Sequence, residues 1–359
     1  MTRPTVILGM SGGVDSSVAA ALLVEQGYHV HGVTLQVWEQ EDESAAVSKR
    51  WQERGCCKVG LARHVAKRLG ISHEVIDARA NFRSGVINDF IAGYQAGTTP
   101  NPCVRCNERV KLRSLYHIAQ ERGADFVATG HYAQIRSQEG QWGLYRAADG
   151  RKDQSYFLYR ISSSWLSQFL FPVGALLKSD VWERAEALGL PADELKESQE
   201  ICFVSQGDYR TFLEGEAPES KKPGWFTDPD GNRLGQHEGI AYYTPGQRRG
   251  LGIAAGRRLY VHRVHPDTHT VVLGTEEGLY QTDCTVADLS VLDDTICQAR
   301  PVDTYAKVRY ATPAAAAILT PQSDGTMRIH FSAPQRALSR GQSAVFYDGD
   351  RVMGGGIIQ

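Results

Sequence analysis

Three groups of residues in this chain have the types and spacing to do chemistry. The first is Ser11-Gly12-Gly13-Val14-Asp15-Ser16-Ser17, two glycines among hydroxyls with one carboxylate. Glycines let backbone N–H groups close on an anion, and the unpaired N–H groups of a helix start favour negative charge there. That is phosphate chemistry. No Lys precedes Ser16 to reach terminal phosphates, so the turn is not a Walker A loop. The second group is Cys103-Val104-Arg105-Cys106, with Arg109 beyond it. A lone Cys-x-x-Cys is half a zinc site, but no second pair of suitable spacing follows, which favours thiol chemistry. A helix N-terminus and neighbouring cations both favour thiolates. The third is Cys202, in Ser198-Gln199-Glu200-Ile201-Cys202-Phe203. Alone it reads as a structural thiol; beside the other two it is a third reactive sulfur.

The elements that position these groups follow from periodicity. Thr5 to Gly9 is a short β-branched run and Val18 to Leu23 an Ala/Leu run, so the glycines occupy a strand-to-helix turn. A second strand over Tyr28 to Leu35, a helix over Gly60 to Gly70 and a strand over Ser72 to Asp77 continue the alternation. It predicts a parallel sheet with helices on both faces and ligands at the strands' carboxyl ends. Leu35 lies at one such end, as an adenine contact or as a plain core leucine. Phe126 to Tyr132 is a buried strand ending in Gly130-His131, where Gly130 permits close approach of a ligand and His131 is either at that ligand or a satisfied half-buried histidine. Pro100 and Pro102 keep the Cys-x-x-Cys in a fixed loop ahead of a helix over Glu108 to Arg122. Lys152-Asp153-Gln154 opens a helix-like run, as a substrate clamp or as a simple capped start. Trp38 to Ser48 reads as a loop, and the adjacent Cys56 and Cys57 as free thiols, because neighbouring side chains point apart.

With 359 residues, 42% of them hydrophobic, the chain can bury more than one core, and two or three domains are expected. A net charge of -2 excludes a generally basic nucleic-acid coat but not a local basic stripe. Such stripes are Arg105, Arg109, Lys111 and Arg113, then Arg248-Arg249, Arg257-Arg258, and Lys307 with Arg309. No apolar run of about 18 residues and no signal-like N-terminus is present, which predicts a cytoplasmic protein without a membrane partner. Seven cysteines in so long a chain do not form a secreted disulfide framework. Beyond Thr211 helix periodicity fades. Pro218 to Asp230 reads as a linker, and from Cys284 short alternating strands predict a small antiparallel barrel.

Ser11 to Ser16 resembles the pyrophosphatase loop of enzymes that cleave ATP to AMP and pyrophosphate. Over essentially its full length the chain resembles the tRNA-specific 2-thiouridylase family within that superfamily. The motifs are 9–17, Thr99-Pro100-Asn101-Pro102, Cys106-Asn107, 129–132, 152–157, 198–203 and Gly246 to Gly252. The resemblance implies an α/β fold: an adenine-nucleotide α-hydrolase-like, Rossmann-like parallel sheet over 1–212, a small central domain over 213–281, and an antiparallel β-barrel over 282–359. It implies ATP with Mg²⁺ at Gly9, Met10, Ser11, Gly12, Gly13, Val14, Asp15, Ser16, Leu35 and Gly130. It places Asn101, Pro102 and Cys103 near the target base, His131 nearby, and Lys152, Asp153, Gln154, Arg309, Tyr310 and Gln342 at the tRNA. The partners implied are a tRNA whose anticodon loop carries the wobble uridine U34, and a sulfur-donor protein or cysteine desulfurase relay.

Replacing O2 of a uridine by sulfur requires a better leaving group, which adenylation supplies, and an activated sulfur. By the resemblance, Cys202 carries a persulfide and Cys106 attacks it, releasing sulfur or forming a disulfide. Better-known members carry an Asp where this chain has Cys103, so an Asp acid/base role does not carry over. Three cysteines are also the ligand set of a [4Fe-4S] cluster with one open iron, on Cys103, Cys106 and Cys202, and both sulfur routes stay open. Two other classes compete. An amidating ligase gives Cys106 and Cys202 no role, and a non-catalytic RNA-binding barrel would tolerate loss of Asp15.

Overall fold

The computed structural model describes residues 3–38, 59–190, 201–204 and 208–359. Most of the loop expected after Trp38, together with Cys56-Cys57 and Ser198 to Glu200, lies outside them. Contacts divide the chain into two compact units: Met1–Val86, Cys103–Ser205 and Asp350–Val352 in one, Ile87–Pro102, Gln206–Gly349 and Met353–Gln359 in the other.

The first unit alternates strand and helix: β1 (Thr5–Gly9), α1 (Val14–Glu25), β2 (His29–Gln36), α2 (Val59–Leu69), β3 (Ser72–Asp77) and α3 (Arg79–Phe82). After α4 (Asn88–Gln95), which packs in the second unit, come α5 (Pro102–Cys106), α6 (Leu112–Arg122), β4 (Phe126–Thr129), a hairpin of β5 (Ala133–Gln138) and β6 (Gln141–Arg146), α7 (Ser155–Leu158), β7 (Phe169–Leu170) and α8 (Lys178–Ala187). The strand order is β3-β2-β1-β4-β7, with every neighbour parallel. Covered on both faces, such a sheet has strands that are apolar throughout, and Val6, Ile7 and Leu8 are all buried. α1 is equally apolar around its circumference because it packs into the same core as α2 and α8. β1 and β4 lie side by side at the centre, one followed by the glycine turn and the other by Gly130. In open α/β sheets, the crevice outside the carboxyl ends of such strands is where ligands sit.

In the second unit, Ile87–Pro102 packs with residues far along the chain, although sequence order alone put it in the first domain. Tyr94 stacks on Tyr209 with centroids 4.7 Å apart, at the start of α9 (Tyr209–Glu216). Thr99 donates its N–H to the Arg340 carbonyl at 2.7 Å and accepts from Gln342 Nε2 at 2.8 Å. The central sheet runs β10 (Tyr260–His265), β11 (Thr270–Gly274), β8 (Gly224–Thr227), β9 (Arg233–His237) in spatial order. The expected linker Pro218 to Asp230 therefore holds a strand, anchored by the fully buried Phe226. The barrel predicted after Cys284 is present. β12 (Tyr280–Val291), β15 (Met327–Arg336), β14 (Ala315–Pro321), β13 (Val302–Lys307), β16 (Ser343–Asp348) and β17 (Arg351–Ile358) are neighbours in that order, and β12 pairs with β17 to close it. Its inward positions alternate with outward ones, placing Leu319, Ile329, Phe331 and Phe346 in one core. Among the described residues no helix is long and apolar enough to cross a membrane.

Phe346 is fully buried in that core. Phe346→Ala is expected to cost about 3–5 kcal/mol, read as a lower midpoint for the barrel's transition in thermal or denaturant unfolding.

Candidate nucleotide and sulfur site

The glycine turn is built from below. Met10 is buried; its N–H donates to Val33 O at 2.8 Å, and its carbonyl accepts from Thr34 Oγ1 at 2.7 Å. Gly12 then takes φ +74°, a left-handed conformation that favours glycine. Gly13 is the N-cap of α1. Its carbonyl accepts from Ser16 Oγ at 3.0 Å and Ser17 Oγ at 2.9 Å, and its N–H donates to Ser11 Oγ at 3.3 Å. Val14 turns into the core below. Gly9 packs beneath α6, since a Cβ there would lie 2.7 Å from Leu115 Cδ1. Leu35 is buried at the carboxyl end of β2.

Gly130 stands against the start of α1. A Cβ on it would lie 2.6 Å from Ser16 N and 2.7 Å from Asp15 C. The missing side chain admits the first turn of α1. Asp15 projects from that turn with its side chain 35% exposed, and its Oδ1 accepts from Tyr132 OH at 2.8 Å and from Lys178 Nζ at 2.6 Å. Lys178 stands 163 residues from Asp15, and no local pattern in the sequence announces it.

The cysteines are not in a loop. α5 starts at Pro102, runs into a π-helical turn over Asn107–Lys111 and continues as α6. A proline needs no N–H at the first helical position, so Pro102 starts the helix that it was expected to prevent. The π turn is pinned by polar contacts. Asn107 Nδ2 donates to Phe157 O at 3.2 Å, Arg109 Nη1 to Gly85 O at 3.1 Å, and Glu108 pairs with Arg105 at 3.0 Å and Arg160 at 2.8 Å. Cys106 is buried, Cys103 reaches solvent and Cys202 is intermediate; all are free thiols. Phe203 fixes the Cys202 turn by packing edge-on against Phe82 at 5.6 Å.

Electrostatics tie these groups into one neighbourhood. Protein crowding around Cys103 pushes its thiol above the ordinary range; the Lys111 charge opposes this and Cys202 adds to it. Desolvation outweighs the neighbouring cation and so opposes the thiolate character expected of Cys103, even though its side chain reaches solvent. His131 is driven down to about 3 by burial and then by Lys111, and its Nδ1 lies 2.7 Å from Thr129 Oγ1. It is a neutral imidazole throughout the physiological range. Among the described residues, no three His, Cys, Asp or Glu side chains are gathered closely enough to hold a metal ion.

The residues assigned to RNA fall into two groups. Lys152, Asp153 and Gln154 lie in the first unit. Asp153 is buried, and its carboxylate accepts from Ala147 N, Ser155 N and Ser155 Oγ at 3.0–3.1 Å, so it shapes the turn from within. Gln154 exchanges hydrogen bonds with the Tyr132 backbone at 2.7 and 2.9 Å. Lys152 is half-buried. In the second unit, Arg309 Nη2 donates to Ala337 O at 2.7 Å and Ser339 Oγ at 2.8 Å, while Tyr310 is exposed beneath Lys307. Asn101 and Pro102 belong to the same unit, with Gln342 bonded to neighbouring Thr99.

A central parallel sheet with a phosphate-binding turn, followed by a small sheet and a closed barrel, defines a nucleotide-binding α/β protein with two β modules. Family profiles match accordingly: a tRNA methyl transferase HUP domain over residues 4–206, a tRNA methyl transferase PRC-barrel domain over 210–275 and an aminomethyltransferase beta-barrel domain over 281–358. The chain is 43% identical over 364 residues to the tRNA-specific 2-thiouridylase MnmA of Clostridium perfringens, covering 100% of this chain and 99% of that protein. It is 45% identical to the tRNA-specific 2-thiouridylase MnmA of Magnetococcus marinus, covering 100% of both. Among solved structures, an NH3-dependent NAD synthetase from Campylobacter jejuni is 17% identical, with 61% of this chain and 77% of that one covered and a TM-score of 0.33. The chain belongs to the tRNA-specific 2-thiouridylase family.

Two predictions follow from this geometry. Gly130→Ala forces a Cβ against the backbone of Asp15 and Ser16, and should cost about 1–3 kcal/mol as overpacking does, seen as a lower melting temperature. Cys103 should alkylate with an apparent pKa above that of free cysteine, rising further in Lys111→Met, when iodoacetamide rates are followed against pH. An apparent pKa below about 8.5 would contradict the placement of Cys103.

Proposed function

We propose that this chain thiolates the wobble uridine of tRNA at O2, using ATP to activate the oxygen and a cysteine persulfide to supply the sulfur. One observation carries the reading: the glycine turn with Asp15 and the thiols of Cys103, Cys106 and Cys202 lie in one compact unit. An amidating ligase needs only the first of these. In this reading the N–H groups of Gly12 and Gly13 receive the phosphates. The open Oδ2 of Asp15 and the serine hydroxyls form a hard-oxygen set that fits Mg²⁺, which when bound shields phosphate charge.

Uridine O2 attacks the α-phosphorus, the bond to pyrophosphate breaks, and the N3 proton leaves the ring. The terminal sulfur of a Cys202 persulfide then attacks C2 and AMP departs. Cys106 thiolate attacks Sγ of Cys202, closing a disulfide as 2-thiouridine is released, and a cellular dithiol reduces that disulfide for the next turnover. The buried Cys106, at the edge of the pinned π turn, is the sulfur held most firmly for that last attack. Base recognition is assigned to Asn101, Pro102, Cys103 and His131. The tRNA is assigned to Lys152, Gln154, Arg309, Tyr310 and Gln342, with Asp153 acting through the turn it shapes. Leu35 and Gly130 border the nucleotide, and a separate protein delivers the sulfur.

A tRNA-dependent assay should yield AMP and pyrophosphate; ADP and phosphate would overturn the loop assignment. Asp15→Ala should abolish turnover. Cys202→Ser should stop sulfur loading and Cys106→Ser should block release, while Cys103→Ser should keep most activity. Iron in anaerobically purified protein, with Cys103→Ser as damaging as the other two, would replace the persulfide with a cluster.

A further inference from the structure

Arg248 and Arg249, one of the basic stripes in the sequence, take no part in the function proposed above, yet the second unit holds them on a built platform. Thr244-Pro245-Gly246-Gln247 is a tight turn: Gln247 donates its N–H to Thr244 O at 2.9 Å, and Gly246 takes φ +86°. Proline at the second position and a left-handed glycine at the third are what a type II turn demands. The turn is tied to β10, with Gly246 N–H on Val261 O at 2.8 Å and Val261 N–H on Gln247 O at 2.9 Å. The Gln247 side chain braces the loop at both ends, its Oε1 accepting from Thr244 N at 3.1 Å and its Nε2 donating to Arg249 O at 3.0 Å. Arg309 Nη2 donates to Pro245 O at 3.3 Å, and a Cβ on Gly246 would lie 3.0 Å from Ala337 Cβ, so the loop is seated against residues of the barrel.

On this platform Arg248 and Arg249 are both exposed, and among the described residues no carboxylate pairs with either. An arginine needs no braced backbone to be solvated, and fixing two like charges side by side opposes folding. A polyanion reverses that cost on binding. The surroundings add charge of the same sign. Arg210 Nη2 lies 3.4 Å from where a Cβ on Gly250 would stand, and Arg336 Nη1 lies 3.4 Å from that of Gly246, although Arg336 shares its charge with Glu276. A nucleic-acid backbone carries one negative charge per nucleotide, and guanidinium forks bind phosphate oxygens in pairs. Arg257 and Arg258 are exposed as well, but among the described residues no hydrogen bond braces residues 252–258, which carry them. Bracing, and not charge alone, separates the two arginine pairs.

We propose that the loop over residues 244–250 is an RNA-backbone grip in which Arg248 and Arg249 bind neighbouring phosphates of the tRNA, with Gln247 and Arg309 as the positioning residues that hold the loop. This inference rests on the tRNA reading given above. Through its bond to Pro245 O, part of what Arg309 contributes to RNA binding is delivered by Arg248 and Arg249.

The test measures binding of an unmodified transcript of a tRNA with U34 to the full-length protein, by fluorescence anisotropy over a series of salt concentrations. Failure of the wild type to bind would overturn the tRNA reading itself. If it binds, the double variant Arg248→Ala/Arg249→Ala is expected to lose about tenfold or more in affinity. Its slope of log affinity against log salt should be shallower by about 1.4–1.8, as for two lost phosphate contacts. The pair Arg257→Ala/Arg258→Ala removes the same charge and should lose less than about threefold, because exposed charges away from a contact are screened. Equal losses in the two pairs would show diffuse attraction and overturn the grip, as would an unchanged slope in the first. Gln247→Ala should weaken binding in the wild type but add nothing in the Arg248→Ala/Arg249→Ala background, the mark of a residue acting through the two arginines; equal losses in both backgrounds would overturn its positioning role. Unchanged tRNA affinity alongside lost transfer from a sulfur-donor protein would make the loop a protein-docking surface and overturn the proposal. Should the alanine pair not fold, Arg248→Gln/Arg249→Gln carries the same comparison.

Discussion

The site depends on one close approach, the backbone of Gly130 against the first turn of α1. Parallel pairing of β1 with β4, Gly9 opposite Thr129, brings the two strand ends level. The absence of a Cβ then lets the helix start settle onto the neighbouring strand's exit. Without that contact the N–H groups of Gly12 and Gly13 would have no fixed direction, and Asp15 would not meet Tyr132, two residues past Gly130. Geometry at a phosphate site is set by backbone, which cannot be adjusted by rotating a side chain. This is why so much of the first unit's core, from Met10 to Val18, lies directly beneath the turn.

The thiol side is governed by a different device. In a regular α-helix Lys111 would lie about 80° around the axis from Cys103, at 3.6 residues per turn. Widening the helix over Asn107–Lys111 turns Lys111 back towards the face that carries Cys103. Single π turns occur frequently at functional sites because they re-aim side chains without breaking a helix. Such a turn is intrinsically less favourable, and the ion pairs of Glu108 with Arg105 and Arg160, together with the Asn107 bond to Phe157 O, hold it in place.

The first unit's layering was legible because it rests on local periodicity: apolar β-branched runs, Ala-rich helix faces and a glycine turn between them. The barrel was legible for the same reason, its strands alternating inward and outward. What was not legible depended on contacts distant in the chain. Phe226 marks a central strand only because β11 and β9 flank it. Pro102 could be read as helix breaker or helix starter, and the residues after it decide. Lys178 is one lysine among many until folding sets it against Asp15. Arg309, placed at the RNA by the resemblance, carries a charge that suits phosphate, yet Ala337 O and Ser339 Oγ, which engage it internally, lie 28 and 30 residues on.

Exchanging a carboxylate for Cys103 changes how the site can handle protons. In the desolvated position that Cys103 occupies, burial raises the pKa of either acid. A carboxyl starts near 4 and a thiol near 8.5, so only the carboxyl would remain largely ionised at neutral pH. With the Cys103 thiol held above its ordinary range and His131 a neutral imidazole, the charge of Lys111 acts on both.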